Sequence, residues 1–140
     1  MDTDDDLLIM IVSNSSDESS AEVELISEIA VRDEADAVKH AVTELGLRAT
    51  EIRISDPFAA CEQIKKSNAD VVFNLCEGLN GDSAFEMHVA AIWELSGVPF
   101  TGNNPLTLGT ARNKTLAKKI FRSSSIPTPK WEYYRELPKT

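Results

Sequence analysis

The sequence predicts an α/β fold in which a parallel β-sheet carries helices on both of its faces. Segments with strand and helix patterns alternate from the N-terminus to Gly102, in the order β-α-β-α-β-α-β. The first strand, Leu7–Val12, is an unbroken apolar run, as expected for a strand buried on both sides of a parallel sheet. This alternation is typical of Rossmann-like and flavodoxin-like sheets with right-handed crossovers.

The elements of the first half of the chain have clear sequence boundaries. Gly46 is expected to end a long first helix, and an alternating second strand spans Leu47–Ile54. Pro57 opens the second helix. Apolar residues spaced by three and four positions predict the buried faces of both helices. They are Val31, Ala35, Val38, Val42 and Leu45 in the first helix, and Phe58, Cys61 and Ile64 in the second.

The second half contains two more predicted strands and three helices. The third strand is Val71–Leu75, and the third helix, Ala84–Ser96, stops at Gly97. Its predicted inner residues are Phe85, Val89, Ile92 and Trp93. The remaining predictions are a fourth strand at Val98–Gly102, a short helix from Asn104-Pro105, an amphipathic helix at Asn113–Ser124 and an extended, strand-like end at Ile126–Leu137.

Composition narrows the classes of function. The 140 residues are 42% hydrophobic, which suits one globular core, and the net charge is −9. Such an acidic chain is expected to bind neither nucleic acid nor anionic membranes. The sequence shows no apolar run long enough to span a bilayer and no basic leader, so we expect a cytoplasmic protein. Two cysteines without metal-site spacing predict reduced thiols.

The charge changes sign near Arg112. Residues 1–111 are strongly acidic, whereas residues 112–140 contain eight Lys or Arg residues and only two Glu residues. We therefore expect a domain boundary there, with an α/β domain at 1–111 and the first segment of another domain at 112–140.

The ends of the first and third strands predict a site. Parallel sheets bind ligands beyond the carboxyl ends of their strands, and polar loops follow both strands here, at 13–22 and 74–82. The acids placed near this edge are Glu22, Glu77, Asp82 and Glu86. The alternative interpretation is plain turn chemistry, with Asp82 or Ser83 capping the next helix. The sequence lacks a Gly-x-Gly-x-x-Gly dinucleotide fingerprint at this position.

Several motifs in order resemble the N-terminal half of the D-alanine–D-alanine ligase group of ATP-grasp enzymes. The match is close from Asp70 to Pro129. Its motifs are Glu77-Gly78, Trp93-Glu94-Leu95-Ser96-Gly97, Pro99-Phe100-Thr101-Gly102, Asn113-Lys114 with Lys118, and Ile126-Pro127-Thr128-Pro129. The resemblance implies a pre-ATP-grasp domain followed by the start of an ATP-grasp domain. It also implies an ATP-dependent ligase of peptidoglycan biosynthesis that phosphorylates a carboxylate and then joins it to an amine.

The resemblance assigns roles to five residues. Lys114 matches a lysine that contacts nucleotide phosphate. Glu22 and Glu28 are rival matches for a substrate-binding Glu after the first strand, where the glycines of the family's Gly-Gly-x-Ser-x-Glu stretch are missing. Glu77 and Glu86 match acid-bearing positions of the loop and helix that follow the third strand. The substrate implied is a small amino acid or another carboxylate, and the full-length parent would use ATP and Mg²⁺.

The family's phosphate loop, adenine hinge and Mg²⁺ ligands have no counterpart in these 140 residues. We therefore expect this chain alone to be inactive and to hold no cofactor. A homodimer through the N-terminal domain is implied by the resemblance. The alternative function is a stand-alone flavodoxin-like module that binds a ligand or a partner without catalysis.

Overall fold

Three parallel strands form the sheet, in the order β2-β1-β3. The structure is a computed structural model and describes residues 7–15 and 22–134, without the side chains of residues 22–29. The strands are β1 (Leu8–Asn14), β2 (Arg48–Ile54) and β3 (Val71–Asn74). In register, Val12 of β1 lies beside Ile52 on one side and Asn74 on the other. The predicted α/β fold with a parallel sheet is thus confirmed.

Five α-helices connect and follow the strands in the described chain. They are α1 (Glu22–Glu44), α2 (Pro57–Ser67), α3 (Glu86–Ser96), α4 (Pro105–Arg112) and α5 (Lys114–Ser123), and a 3₁₀ turn at Ser83–Phe85 precedes α3. Gly46 and Gly97 follow helix ends with φ of 79° at both, the left-handed conformation that the sequence predicts for them. Asn104 caps α4 by accepting a hydrogen bond from the Thr107 N–H at 2.9 Å.

The main core lies between the sheet and the pair α2–α3. Side chains of a strand alternate between faces, and Met10 and Val12 point to this side together with Val72. They pack with Ile64 of α2 and Trp93 of α3, which are both fully buried. On the other face, α1 packs on β1 and β2, and it contributes the buried residues Ala35 and Val42 opposite Ile9 and Ile11. Helices therefore cover both faces, as predicted.

Three predicted core residues are exposed instead. Phe58 is 72% exposed because the inner face of α2 is formed by Pro57, Ala60 and Ile64, and Phe58 is one position out of phase with that face. Leu45 is 75% exposed because α1 ends at Glu44, before its predicted turn is completed. Phe85 lies in the 3₁₀ turn that precedes α3 and is 41% exposed.

The predicted fourth strand is reduced to a single parallel bridge between Val72 and Phe100. Two backbone hydrogen bonds hold it: Val72 N–H donates to Pro99 O at 2.8 Å, and Thr101 N–H donates to Val72 O at 2.9 Å. Pro99 has no N–H, and the Asn74 N–H bonds the Thr101 hydroxyl instead of a backbone carbonyl at 3.0 Å. The ladder therefore stops after one bridge.

We call the described residues 7–111 the body and residues 112–134 the arm. The arm contains α5 and an extended segment in which the Lys118 ammonium donates to the Thr128 hydroxyl at 2.9 Å. No residue of the arm is buried. The strand predicted from Ile126 is absent up to Tyr134, where Pro127 and Pro129 remove backbone donors, and residues 135–137 of that prediction lie outside the described chain.

Candidate functional site

The carboxyl ends of β1 and β3 lie side by side. Their pairing runs to Val12 and Asn74, and one more backbone bond follows, from the Leu75 N–H to Val12 O at 2.8 Å. The two strand ends are therefore adjacent, as predicted. Residues 16–21 of the polar loop after β1 lie outside the described residues.

The Asn14 side chain continues the contact beyond the strands. Its Nδ2 donates to Gly78 O at 2.9 Å, and its Oδ1 accepts from the Glu77 N–H at 3.2 Å. One amide group thus binds both sides of the Glu77–Gly78 stretch, as a neighbouring strand would. The residues are more than sixty positions apart in sequence, and this contact joins the two halves of the candidate site.

A second asparagine ties β3 to the helix behind it. The Asn74 Oδ1 accepts from the Trp93 indole N–H at 2.9 Å and from the Cys76 N–H at 3.2 Å. Trp93 is fully buried, so its N–H needs such a partner. The bond fixes the direction in which the chain leaves the sheet.

The loop after β3 closes in a tight turn. Leu79 and Asp82 exchange two backbone hydrogen bonds at 3.2 and 3.0 Å. Between them Asn80 and Gly81 have φ of 51° and 72°, the Asn-Gly pattern of a type I′ turn. A Cβ on Gly78 would lie 2.6 Å from Asp82 O, so this position requires glycine. The loop at 74–82 therefore has a defined conformation. It contains one glycine where the backbone packs most closely, Gly78, and one in the left-handed conformation, Gly81.

Asp82 has a structural role in this loop. Its Oδ1 accepts from the Ala84 N–H at 2.7 Å and caps the 3₁₀ turn that leads into α3. The turn interpretation of Asp82 is therefore confirmed.

Cys76 is a buried thiol beneath the loop. Its Sγ lies 3.7 Å from Val12 O, and burial raises the pKa of the thiol to about 12. The thiol is therefore protonated at neutral pH, and a protonated thiol is a poor nucleophile. Cys76 thus packs beneath the loop as a buried thiol.

The predicted acidic residues lie at different depths. Glu77 is exposed, whereas Glu86 is half-buried as the first residue of α3. Glu22 begins α1 and Glu28 lies in its second turn, and their side chains are outside the described structure. The structure therefore places Glu77 beside β1 through Asn14, and it leaves the approach of Glu22 or Glu28 open.

Lys114 lies on the arm. It is the exposed first residue of α5, whose N-terminus is capped by Asn113 accepting from the Leu116 N–H at 3.0 Å. The preceding residue, Arg112, donates to the Ser83 hydroxyl at 2.8 Å. The start of the arm is thus attached to the loop that follows Asp82.

Sequence reasoning missed the three polar ties Asn14–Glu77, Asn74–Trp93 and Arg112–Ser83. For Asn14 and Asn74 the available signal was an amide at the last residue of an apolar strand, where the chain could have continued apolar.

Among the described residues no group of three or more His, Cys, Asp or Glu side chains is arranged to hold a metal ion. No helix of the described chain has the length and apolar character needed to cross a membrane. An open depression of about 590 Å³ lies along the 98–102 segment, lined by residues such as Phe100 and Asn103, and none of the predicted site residues contributes to it.

Comparison with known proteins identifies relatives with an established name. The D-alanine–D-alanine ligase of a Wolbachia from Brugia malayi is 34% identical over 94 residues, which are 67% of this chain and 26% of the ligase. The ligase of a Synechococcus strain is 32% identical over 104 residues, 71% of this chain and 30% of that protein. An uncharacterised protein of Sinorhizobium fredii is 43% identical over 65 residues, 46% of this chain and 19% of its own length. No protein-family model matches the chain.

A solved structure supports the fold. The crystal structure of D-alanine–D-alanine ligase from Bacillus anthracis complexed with ATP matches 96% of this chain and 40% of its own, with a TM-score of 0.64 and 19% identity. At this identity the match shows the fold alone, and it lies in the N-terminal region of that ligase. The chain spans less than a third of the length of the curated relatives described above. The resemblance inferred from the motifs is confirmed: D-alanine–D-alanine ligases are homologues of this chain.

Proposed function

We propose that this chain, a homologue of the N-terminal portion of D-alanine–D-alanine ligases, is the substrate-binding part of an ATP-dependent carboxylate–amine ligase. The observation that carries the proposal is the 32–34% identity to two such ligases over about two thirds of the chain. The loop geometry supports it, because the match includes the Glu77–Asp82 loop at the carboxyl edge of the sheet, where α/β folds bind ligands.

Glu77 is the residue best placed to bind substrate. Its backbone is held by Asn14 and its carboxylate is exposed at the edge of the sheet. A fixed carboxylate binds and orients a protonated amine through charge-assisted hydrogen bonds, which are stronger than neutral ones. An amino acid presents such an ammonium group. Glu86, and either Glu22 or Glu28, would complete an acidic surface around it.

In this proposal the arm contributes to nucleotide binding. ATP would supply the phosphoryl group that activates the substrate carboxylate. The Lys114 ammonium, exposed at the start of α5, would neutralise phosphate charge. The division into a domain at 1–111 and an ATP-grasp segment at 112–140 is part of the same proposal. The described residues do not fit a Mg²⁺ site, so we assign no step to the metal on this chain.

The test measures the binding of amino acids to the chain, monitored by the amide chemical shifts in NMR spectra. Titration of the 140-residue chain with D-alanine, L-alanine and glycine should shift the amide signals of Glu77 and Gly78 for at least one of them. Glu77→Gln should weaken that binding, since it removes the charge and keeps the shape. The control is Glu94→Gln, an exposed acid of α3 that lines the depression along residues 98–102. Equal weakening by both variants would mean a general charge effect and would contradict the proposal.

ATP turnover is the second measurement. The chain alone should form no ADP above background with ATP, Mg²⁺ and the bound amino acid, because the aligned regions make up only 26% and 30% of the two ligases. Turnover that is lost in Lys114→Ala would show that the catalytic machinery is contained in these residues and would overturn this part of the proposal.

A further inference from the structure

We infer that Asn14 is a positioning residue, which fixes the Glu77–Gly78 backbone so that the Glu77 carboxylate is held toward the substrate. The inference rests on the proposed function for the identity of the substrate group, an ammonium. It rests on the structure alone for the ordering of the loop. The strand ends here in Ser13-Asn14, where the resemblance leads one to expect glycines.

The backbone ladder ends before the site. The last backbone bond between β1 and the chain after β3 joins Leu75 to Val12. Glu77 and Gly78 come later, where two strands that lead to separate helices would diverge. The Asn14 amide replaces the missing ladder there, with its donor at 2.9 Å from Gly78 O and its acceptor at 3.2 Å from the Glu77 nitrogen.

The same stretch is restrained from its other side. Gly78 is buried, and its α-carbon packs so closely on Asp82 and Ser83 that a Cβ would meet their backbone at 2.6 to 2.9 Å. The turn from Leu79 to Asp82 is closed by its own two hydrogen bonds. Among the described residues, Asn14 is therefore the remaining restraint between this loop and the sheet at Glu77. Without it the loop would stay closed on itself but could move relative to β1.

A rigid backbone below an exposed carboxylate has a functional consequence. Binding of a small ammonium ligand loses free energy whenever the binding group must first be ordered. No described residue pairs with the Glu77 carboxylate, so the backbone held by Asn14 sets the position from which this side chain reaches a ligand. Asn14 thus acts on the substrate through Glu77 and does not touch it.

The test compares Asn14→Ala with Asn103→Ala. Asn103 is an exposed asparagine without a hydrogen bond to any described residue, and its replacement should change nothing. In Asn14→Ala we expect the backbone order parameters of Glu77 and Gly78 to fall from about 0.85 to below about 0.6, the range of flexible loops. The values for Val12 and Val72 should stay at the wild-type level.

Affinity provides the functional readout. The dissociation constant for D-alanine should rise about tenfold in Asn14→Ala, in line with the loss of a pair of hydrogen bonds. Asn14→Asp, nearly the same shape, keeps the acceptor for the Glu77 N–H and loses the donor for Gly78 O. It covers the case in which the alanine variant does not fold, and it should lower the order parameter of Gly78 more than that of Glu77.

Each outcome decides the inference. Unchanged order parameters in both Asn14 variants would overturn it, whatever the ligand data show. Lower order parameters with unchanged D-alanine affinity would make Asn14 merely structural and would also overturn it. If the wild type binds none of the three amino acids, the proposed function fails, and the ordering of the loop by Asn14 is still decided by the order parameters.

Discussion

The body and the arm of this protein show two different outcomes of the same kind of sequence pattern. Both α3 and α5 carry apolar residues at helical spacing. In the body, the Val89 and Trp93 side chains of α3 are 1% exposed or less. In the arm, Leu116, Ile120 and Phe121 of α5 remain 40–42% exposed. An apolar stripe therefore predicts a helix, whereas its burial depends on which other element meets it.

The charge follows the same division. The whole chain has a net charge of −9, although residues 112–140 contain six more basic than acidic residues. The arm meets the body mainly through the packing of α5 on α4 and the hydrogen bond from Arg112 to Ser83. The described core contains no residue of the arm, so we expect the body to keep its stability without it.

The largest effect is expected from Trp93 of the body, and Trp131 of the arm provides the comparison. Trp93→Ala removes a fully buried side chain and its bond to Asn74, and it should lower the free energy of unfolding by about 3–5 kcal/mol. Trp131→Ala, in the arm, removes a half-buried ring whose N–H has no partner among the described residues, and it should cost about 1 kcal/mol or less. Urea unfolding followed by circular dichroism measures both.

A milder substitution at Trp93 allows the same comparison if the alanine variant is unfolded. If Trp93→Ala does not fold, Trp93→Phe keeps an aromatic ring and removes one of the two hydrogen bonds that Asn74 Oδ1 accepts, and about 1–3 kcal/mol should be lost. Equal losses for the two tryptophans would contradict the distinction between body and arm.

The second prediction concerns two crowded glycines of the body. Gly78→Ala places a Cβ 2.6 Å from the backbone of Asp82, which cannot move without opening the turn, so about 1–3 kcal/mol of stability should be lost. Gly109→Ala places a Cβ 2.7 Å from the Met87 sulfur, the flexible end of a side chain. Because alanine favours a helix by about 1 kcal/mol over glycine, this variant should be near neutral. The same urea titration separates them, and a near-neutral Gly78→Ala would mean that the loop yields.

The sequence predicted those parts of the fold that depend on local chemistry. The buried strand β1, the helix-ending glycines Gly46 and Gly97, and the cap at Asp82 all follow from the residues themselves or their neighbours. The failures depend on distant partners. The spacing of Phe58 with Cys61 and Ile64 predicts an inner position, but the face that meets the sheet is that of Ala60 and Ile64.

The sequence predicted where the candidate site lies in the fold, but it did not predict the side-chain hydrogen bonds that hold its loop in place. The strand-end rule placed Glu77 at the edge of the sheet, but nothing in the sequence pairs Asn14 with residues more than sixty positions away. The acids Glu22, Glu28, Glu77 and Glu86 and the lysine Lys114 keep their roles as predictions. Side-chain amides carry no charge pattern and no periodicity, so their contacts become visible only in the folded chain.

The third prediction uses the buried thiol of the body, since the arm contains no cysteine. The pKa of Cys76 is raised from 9.0 to about 12 in the folded chain, because burial disfavours the thiolate. Below pH 9 the thiol is protonated in both states and stability is unaffected. Between pH 9 and 12 the unfolded chain loses the proton first, so stability should fall by about 1.4 kcal/mol per pH unit.

The measurement is the difference between wild type and Cys76→Ala in urea unfolding at pH 8 and pH 10. The variant loses some packing at both pH values, and it should lose less additional stability on going to pH 10 than the wild type. Cys61→Ala is the control for the removal of a thiol outside the site. If all three proteins respond equally, ionisation of Cys76 is not linked to unfolding.

The smallest effect is expected from removing the arm altogether. A chain that ends at Ala111 loses α5, the extended segment and the bond from Arg112 to Ser83, none of which buries a residue of the arm. Its free energy of unfolding should therefore lie within about 1 kcal/mol of that of the full chain, because exposed contacts contribute little. The two chains should be compared at 0.15 M salt or above. The shorter chain is more acidic, and salt at this concentration screens the repulsion between its charges. A shorter chain without a cooperative transition would show that α5 is part of the folding unit, and the division at residue 111 would be wrong.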